Sequence, residues 1–333
     1  MARYNPVMSR LALVLLAFLT MHCTHAGEPE HPATVRFATF NVSLHGARAG
    51  EVLERLADPA WEKARLAAAT LQEVRPDVLL LNEIDWDPDG EGVRRFAANF
   101  LAVGQDGRAP LDYPFVYVPE VNTGVHSGHD LDRDGTITRA PGSRAYGGDA
   151  FGYGEYPGQY GLAVLSRVPI DFQGIRTFRL FRWKDLPDAW LPDDWYPDAA
   201  LDALRLSSKT HADIPIVFAG TTVHFLVSHP TPPTFDGPED RNGRRNHDEI
   251  RFWELYVGDG SGNWIVDDAG RRGGLGARPF VIAGDLNADP HDGDSSGGAI
   301  NRLLAHPRVQ DSPLPASPGG AEQAQLQGGP NLP

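Results

Sequence analysis

The chain has 333 residues, a single cysteine and a formal charge of −14. That acidity argues against a protein whose affinity rests on broad neutralisation of a nucleic-acid backbone, although it leaves phosphate substrates open, since acidic residues recruit divalent metal. The length is enough for one large domain with a substantial core.

Met1 to Arg10 is mildly basic, Leu11 to Leu19 is apolar, and Thr24-His25-Ala26 follows. This is the layout of a secretory signal peptide, with an apolar core too short to span a bilayer, so we expect cleavage after Ala26 and a secreted or periplasmic protein. Acylation at Cys23 ranks second, because Thr20-Met21-His22 lacks the small residues that lipoprotein processing favours. A chain cut after Ala26 keeps no cysteine and is held by its core. No second apolar run qualifies as a membrane span, and nothing points to an obligate protein partner.

Residues 27–34 read as a polar linker and Val35 to Val42 as the first strand. Asp58 can cap a helix with Pro59 at its first position, and Trp61, Ala64, Ala68 and Leu71 then share a face. Arg75-Pro76 ends that helix, and the strand Asp77 to Glu83 follows directly. This opening suggests an α/β protein. Further strands are expected at Phe115 to Val118, Gly161 to Ser166, Ile216 to Ala219, Thr222 to Ser228 and Phe280 to Ala283. Asn246 and Glu249 have the form of a capping box, predicting a helix through Ile250, Trp253 and Tyr256. Two long loops, Glu120 to Gln159 and Arg182 to Ser208, are of the kind that is functional, metal-stabilised or disordered. One domain is expected over 35–311, with a poorly ordered tail over 312–333, where Pro, Gly, Ala and Gln dominate.

Three strands end in polar residues suited to one oxygen-rich site: Asn41, Glu83, and Asp285 with Asn287. For hydrolysis of a phosphate ester, Glu83 suits Mg²⁺ or Mn²⁺, with Asn41 assisting through its amide oxygen or positioning the phosphate. Asp285 would orient or deprotonate the attacking water, Asn287 would fix its geometry, and His229 would protonate the leaving group or stabilise the transition-state charge. Taken singly, Asn41 and Asp285 read rather as turn residues and His229 rather as a hydrogen-bonded strand end, while Glu83 reads also as a solvated charge; the combination favours a site. Arg241, Arg244, Arg245 and Arg251 offer either a local positive wall or ordinary pairing with Glu239, Asp240, Asp248 and Glu249.

The segments Thr39-Phe40-Asn41-Val42, Leu81-Asn82-Glu83, Gly161 to Arg167, Val227-Ser228-His229 and Gly284-Asp285-Leu286-Asn287 resemble, in that order, the endonuclease/exonuclease/phosphatase superfamily with the DNase I-like fold. The resemblance implies a four-layer α/β sandwich with two central mixed β-sheets and Mg²⁺-dependent cleavage of phosphoesters, whether nucleic acid, phospholipid head group or small phosphoester. More particularly, the chain is similar to a secreted bacterial branch with an aspartate-rich insertion and the run Ser228 to Pro233. The family closes with an Asp-bearing strand and Ser-Asp-His, which this sequence lacks; His306 precedes Pro307 outside such a motif. Truncation of the C-terminal strands is the preferred explanation, and loss of core and an exposed sheet edge its consequence. The competing reading is a catalytically impaired, secreted phosphate- or metal-binding protein.

Asp130, Asp132 and Asp134, followed by Gly135, match the first half of a calcium loop, but the twelfth position is Pro141 rather than Glu. A structural Ca²⁺ site, with Asp149 supplying a ligand from farther along, stands against a merely acidic loop.

Overall fold

The run Val78 to Leu81 is buried on both faces, and its side chains alternate between two cores. Leu79 and Leu81 face helices, whereas Val78 and Leu80 face a second sheet, as strand geometry requires. That alternation builds the architecture of this computed structural model, which describes residues 34–192, 194–258, 262–291, 293–310 and 317–327. The expected signal peptide, Cys23 and nearly all of the expected linker lie outside the described residues. Among the described residues no helix is long and apolar enough to cross a membrane.

The first sheet contains β1 (Phe37–Leu44), β2 (Val78–Ile84), β3 (Phe115–Tyr117) and β4 (Leu162–Ser166) in the order β1-β2-β4-β3. β1 and β2 are parallel, while β2 and β3 both run antiparallel to β4. The second holds β5 (Arg176–Thr177), β6 (His211–Phe218), β7 (Thr221–Ser228) and β8 (Phe280–Gly284) in sequence order, antiparallel except for the parallel pair β7 and β8. Val78, Leu80, Ile214, Phe225 and Val227 fill the space between the sheets. Helices α1 (Glu51–Arg55), α2 (Glu62–Val74) and α3 (Glu91–Phe96, continued by a π-helical turn, Ala97–Leu101) cover the first sheet. The shorter α4 (Arg144–Gly148) and α5 (Asp198–Ala203) lie within the long loops, and α6 (Arg241–Tyr256) and α7 (Ala299–Leu304) cover the second sheet. The result is the four-layer α/β sandwich expected.

Several boundaries differ from expectation. α2 starts at Glu62, because Asp58 spends its carboxylate on the Ala60 N–H in the preceding turn. It stops where expected: Arg75 adopts a left-handed conformation and its N–H closes on the Leu71 carbonyl. β6 begins at His211, earlier than its apolar centre indicated. α6 starts at Arg241, so Asn246 and Glu249 are interior helical residues and not a cap. Within the expected tail over 312–333, residues 318–327 form a helix, α8, while 312–316 and 328–333 lie outside the described residues.

β1 and β8 are the outer strands of their sheets on the same side of the molecule. An open cleft of about 260 Å³ separates Phe37, Ala38 and Thr39 from Val281, Ile282 and Ala283.

Candidate active site

Asn41 and Glu83 come from the first sheet, and His229 and Asp285 follow the last residues of β7 and β8 in the second. Local backbone geometry aims them. The register of β1 against β2 shifts between Asn41 and Leu44, Ser43 has φ 49°, and Glu83 has φ 59°. A left-handed glutamate is costly, by about 1–3 kcal/mol, and such strain persists where the surrounding structure overdetermines it. Here it turns the Glu83 carboxylate towards Asn41. Asn287, at φ 49°, closes an Asx turn in which its N–H donates to Asp285 Oδ1 at 3.2 Å. Gly284 lets β8 lie against β7 beside this turn, since a Cβ there would stand 2.0 Å from the Ser228 carbonyl oxygen.

The four side chains converge. Asn41 Nδ2 donates to Glu83 Oε1 at 2.9 Å and to Asp285 Oδ2 at 3.0 Å. His229 Nε2 lies 3.9 Å from Asp285 Oδ2, and ligand atoms of Glu83, His229 and Asp285 all fall within 4.8 Å of one another. The amide oxygen of Asn41 accepts the Ser43 N–H at 3.0 Å. Asn41 therefore presents its nitrogen to the carboxylates, which differs from the expectation of a metal ligand acting through oxygen. The Asn287 side chain ties its loop to the Pro230 carbonyl at 3.1 Å.

His229 is 3 % exposed, and its Nδ1 has no hydrogen-bond partner. Burial first, and then the neighbouring Lys209, hold its pKa well below the ordinary histidine value, so the imidazole is neutral near pH 7. Lys209 is a residue that sequence reasoning missed. It is buried, and its Nζ donates to the Pro230 carbonyl at 3.5 Å. Burial lowers its pKa while Glu249, Glu83 and Asp285 pull the other way. Its one sequence signal is a charged residue two positions ahead of a strand with an apolar centre.

His45 was missed as well. Its Nε2 is 3.7 Å from Glu83 Oε2, its ring packs on Tyr160 at 4.7 Å, and Lys63 donates to the adjoining Ser43 hydroxyl. Behind it, Asp85 accepts the Tyr156 hydroxyl at 2.6 Å and the Gly46 N–H at 3.1 Å, and burial pushes its carboxyl up to about 6. Tyr156 belongs to the long loop after β3, so that loop is packed against the site.

The arginines of α6 do not line the site. Arg241 pairs with Glu239, as the plainer expectation had it. Arg244 donates to the Leu191 carbonyl, Arg245 to those of Arg205 and Leu206, and Arg251 to that of Pro187. Arg244, Arg245 and Arg251 thus strap Pro187, Leu191, Arg205 and Leu206 onto the helix.

In the acidic loop, Asp130, Asp132 and Asp149 place carboxylate oxygens within 4.8 Å of one another. Asp149 is 1 % exposed and accepts the Leu131 and Thr138 N–H groups. Asp134 is not one of the three; it accepts the Thr136 N–H in its own turn.

The sequence profile described as the Endonuclease/Exonuclease/phosphatase family matches residues 38–331. The chain belongs to that family. Members of the Endonuclease/Exonuclease/phosphatase family are phosphoester hydrolases. Among solved structures, the chain is similar to sphingomyelinase C from Streptomyces griseocarneus (17 % identity, 82 % of this chain and 69 % of that one, TM-score 0.40). It is also similar to an endonuclease/exonuclease/phosphatase from Beutenbergia cavernae (17 %, 88 % and 53 %, 0.39), of which it spans about half the length. A third is a beta toxin mutant from Staphylococcus aureus with bound magnesium ions (14 %, 83 % and 71 %, 0.39). No curated protein matches the chain.

Proposed function

We propose that this member of the family is a secreted, divalent-cation-dependent phosphoesterase acting at the Asn41, Glu83, His229 and Asp285 cluster. The observation that carries the reading is the single amide of Asn41 holding two carboxylates from different sheets beside a buried histidine.

The donor set fits a hard cation. Two adjacent carboxylates repel unless a positive charge lies between them or beside them, and oxygen donors with few protein ligands suit Mg²⁺, with Mn²⁺ the alternative. Glu83 and Asp285 would hold it. When bound, such a cation neutralises phosphoryl charge and supports the departing oxygen. Asp285 accepts a hydrogen bond from the attacking water and takes its proton as the water oxygen bonds to phosphorus and the ester P–O bond breaks. The neutral His229 donates from Nε2 to a phosphoryl oxygen, stabilising transition-state charge. Proton donation to the leaving oxygen, the other role open to His229, needs the imidazolium form that its burial disfavours. Asn41 keeps both carboxylates in place, and Asn287 keeps the Asp285 turn closed on Pro230.

The net charge of −14 disfavours extended nucleic acid as the substrate and leaves phospholipid head groups and small phosphoesters as the classes to test first. The leader over 1–26 supports export. The Asp130, Asp132 and Asp149 oxygens support a structural Ca²⁺ site.

Hydrolysis of bis(4-nitrophenyl) phosphate and 4-nitrophenyl phosphate, with Mg²⁺ and with EDTA, tests the reading against Asp285→Ala as blank. Metal-dependent turnover lost in the folded mutant is expected. Turnover retained by Asp285→Ala overturns the site; phosphate binding without turnover in wild type indicates the impaired, binding-only protein.

A further inference from the structure

β7 and β8 pair in parallel with Ser228 opposite Gly284, which sets His229 beside Asp285. Beyond these residues both chains leave the sheet for loops, and the inner face of α6 holds those loops together. Asn246, Glu249 and Trp253 follow one another at helical spacing, and each spends its polar group on the strand ends. Trp253 Nε1 donates to Ser228 Oγ at 2.8 Å. Glu249 Oε2 accepts the Thr231 N–H at 2.6 Å, while Oε1 accepts the Ser208 N–H at 2.7 Å and the Ser208 hydroxyl at 3.0 Å. Asn246 Nδ2 donates to the Thr231 carbonyl at 2.9 Å and to the Leu286 carbonyl at 2.9 Å.

Thr231 is thus gripped at both backbone groups, and His229 lies between it and Ser228, which the same helix holds. Asn246 carries the grip across to the residue that follows Asp285. Both clamp residues are buried, with Asn246 0 % and Glu249 1 % exposed. A buried carboxylate and a buried amide are expensive to desolvate, and here every partner but one is backbone of the site's own loops or of the segment leading to Lys209.

We infer that Asn246 and Glu249 are positioning residues for the reaction proposed above, fixing the His229 loop against the Asp285 loop. They touch no substrate atom. Their effect is on the alignment of the groups that do, and misplacement of such groups by about 1 Å can cost about a hundredfold in rate. Glu83 and Asn41 stand on the first sheet, outside the clamp, whereas Asp285, the second carboxylate for the cation, is inside it, so loosening the clamp disturbs the second-sheet half of the site and leaves the first-sheet half in place.

The test uses Asn246→Ala and Glu249→Gln in the full chain, with Arg251→Ala on the same helix as control. Expected in both clamp variants is a kcat about 10- to 100-fold lower, with KM within about threefold of wild type and half-saturating Mg²⁺ raised in Asn246→Ala, which frees the Asp285 loop. Hydrogen–deuterium exchange is expected to rise together in peptides covering 229–233 and 285–288 in Asn246→Ala, and to stay at the wild-type level over 78–84. The control changes neither. Unchanged kcat and exchange in a folded variant overturn the inference, as does loosening of the His229 loop alone in Asn246→Ala. Should Asn246→Ala not fold, Asn246→Ser keeps one donor and is read the same way. The inference rests on the phosphoesterase reading for its kinetic arm only: a wild type without turnover defeats that reading, and the exchange arm still decides the clamp.

Discussion

Asn41 and Asp285 are joined by a hydrogen bond of 3.0 Å, although 244 positions separate them in the chain. The same amide nitrogen reaches Glu83 at 2.9 Å, so one neutral donor keeps two carboxylates at a spacing they would not hold alone. Replacing it by a third carboxylate inverts its effect. Asn41→Asp is expected to lower kcat by about a hundredfold, the scale seen for loss of one preorganised donor, while the protein stays folded. Steady-state kinetics across Mg²⁺ concentrations, with circular dichroism as the folding check, measure it.

Gly284 carries a requirement that is steric and not conformational. The added methyl of Gly284→Ala would meet Ser228 backbone, with the carbonyl carbon 3.1 Å from the new Cβ. β7 and β8 must part, and the Asp285 turn moves with them. We expect a loss of about 1–3 kcal/mol in urea denaturation, the range for overpacking, and a fall in kcat larger than that loss of folded protein explains.

His211 makes stability depend on pH. It is buried, its Nε2–H donates to the Glu249 carbonyl at 2.8 Å, and in the neutral ring Nδ1 is left to accept from the Ser207 hydroxyl at 2.6 Å. Burial lowers its pKa below the usual 6.5 against the pull of Glu249. The sign follows from linkage: below pH 6.5 the unfolded chain takes a proton that the folded chain refuses, so stability falls as the solution is acidified through that value. Thermal melts between pH 7.5 and 5.5 should show a steeper decline for wild type than for His211→Gln.

The Asp130, Asp132 and Asp149 oxygens predict a calcium-dependent melting temperature. Asp132 has its pKa raised by burial and by the carboxylates of Asp134, Asp149 and Asp130, a repulsion that a bound cation relieves. A hundredfold excess of Ca²⁺ over its Kd would stabilise the fold by about 2.7 kcal/mol. Differential scanning calorimetry with Ca²⁺ and with EGTA should show an upward shift in wild type, none in Asp132→Ala, and a largely preserved shift in Asp134→Ala. No shift in wild type would leave the loop merely acidic.

β2 was legible because both its faces are buried, which leaves an unbroken apolar run that ends in Asn82 and Glu83. The α2 stop was legible for an equally local reason, the bar on helical geometry before Pro76. The order of the motif segments, read as a family resemblance, carried the four-layer architecture. What remained hidden depended on distant partners. Asn246 and Glu249 have the spacing of a helix start, and only the packing of α6 against β7 and β8 turns them into struts between loops. The arginines of α6 look like a positive wall until the loop over 182–206 folds back and offers its carbonyls. Lys209 looks like any surface lysine until Pro230 and the acidic cluster close around it. By itself the sequence determined where strands and helices could form and which polar residues ended them, because propensity and burial are written into neighbouring positions. The tertiary structure alone decided which of those residues meet and which atoms they present, because those contacts are set by long-range packing and by strained backbone at Ser43, Glu83 and Asn287, for which no local pattern exists.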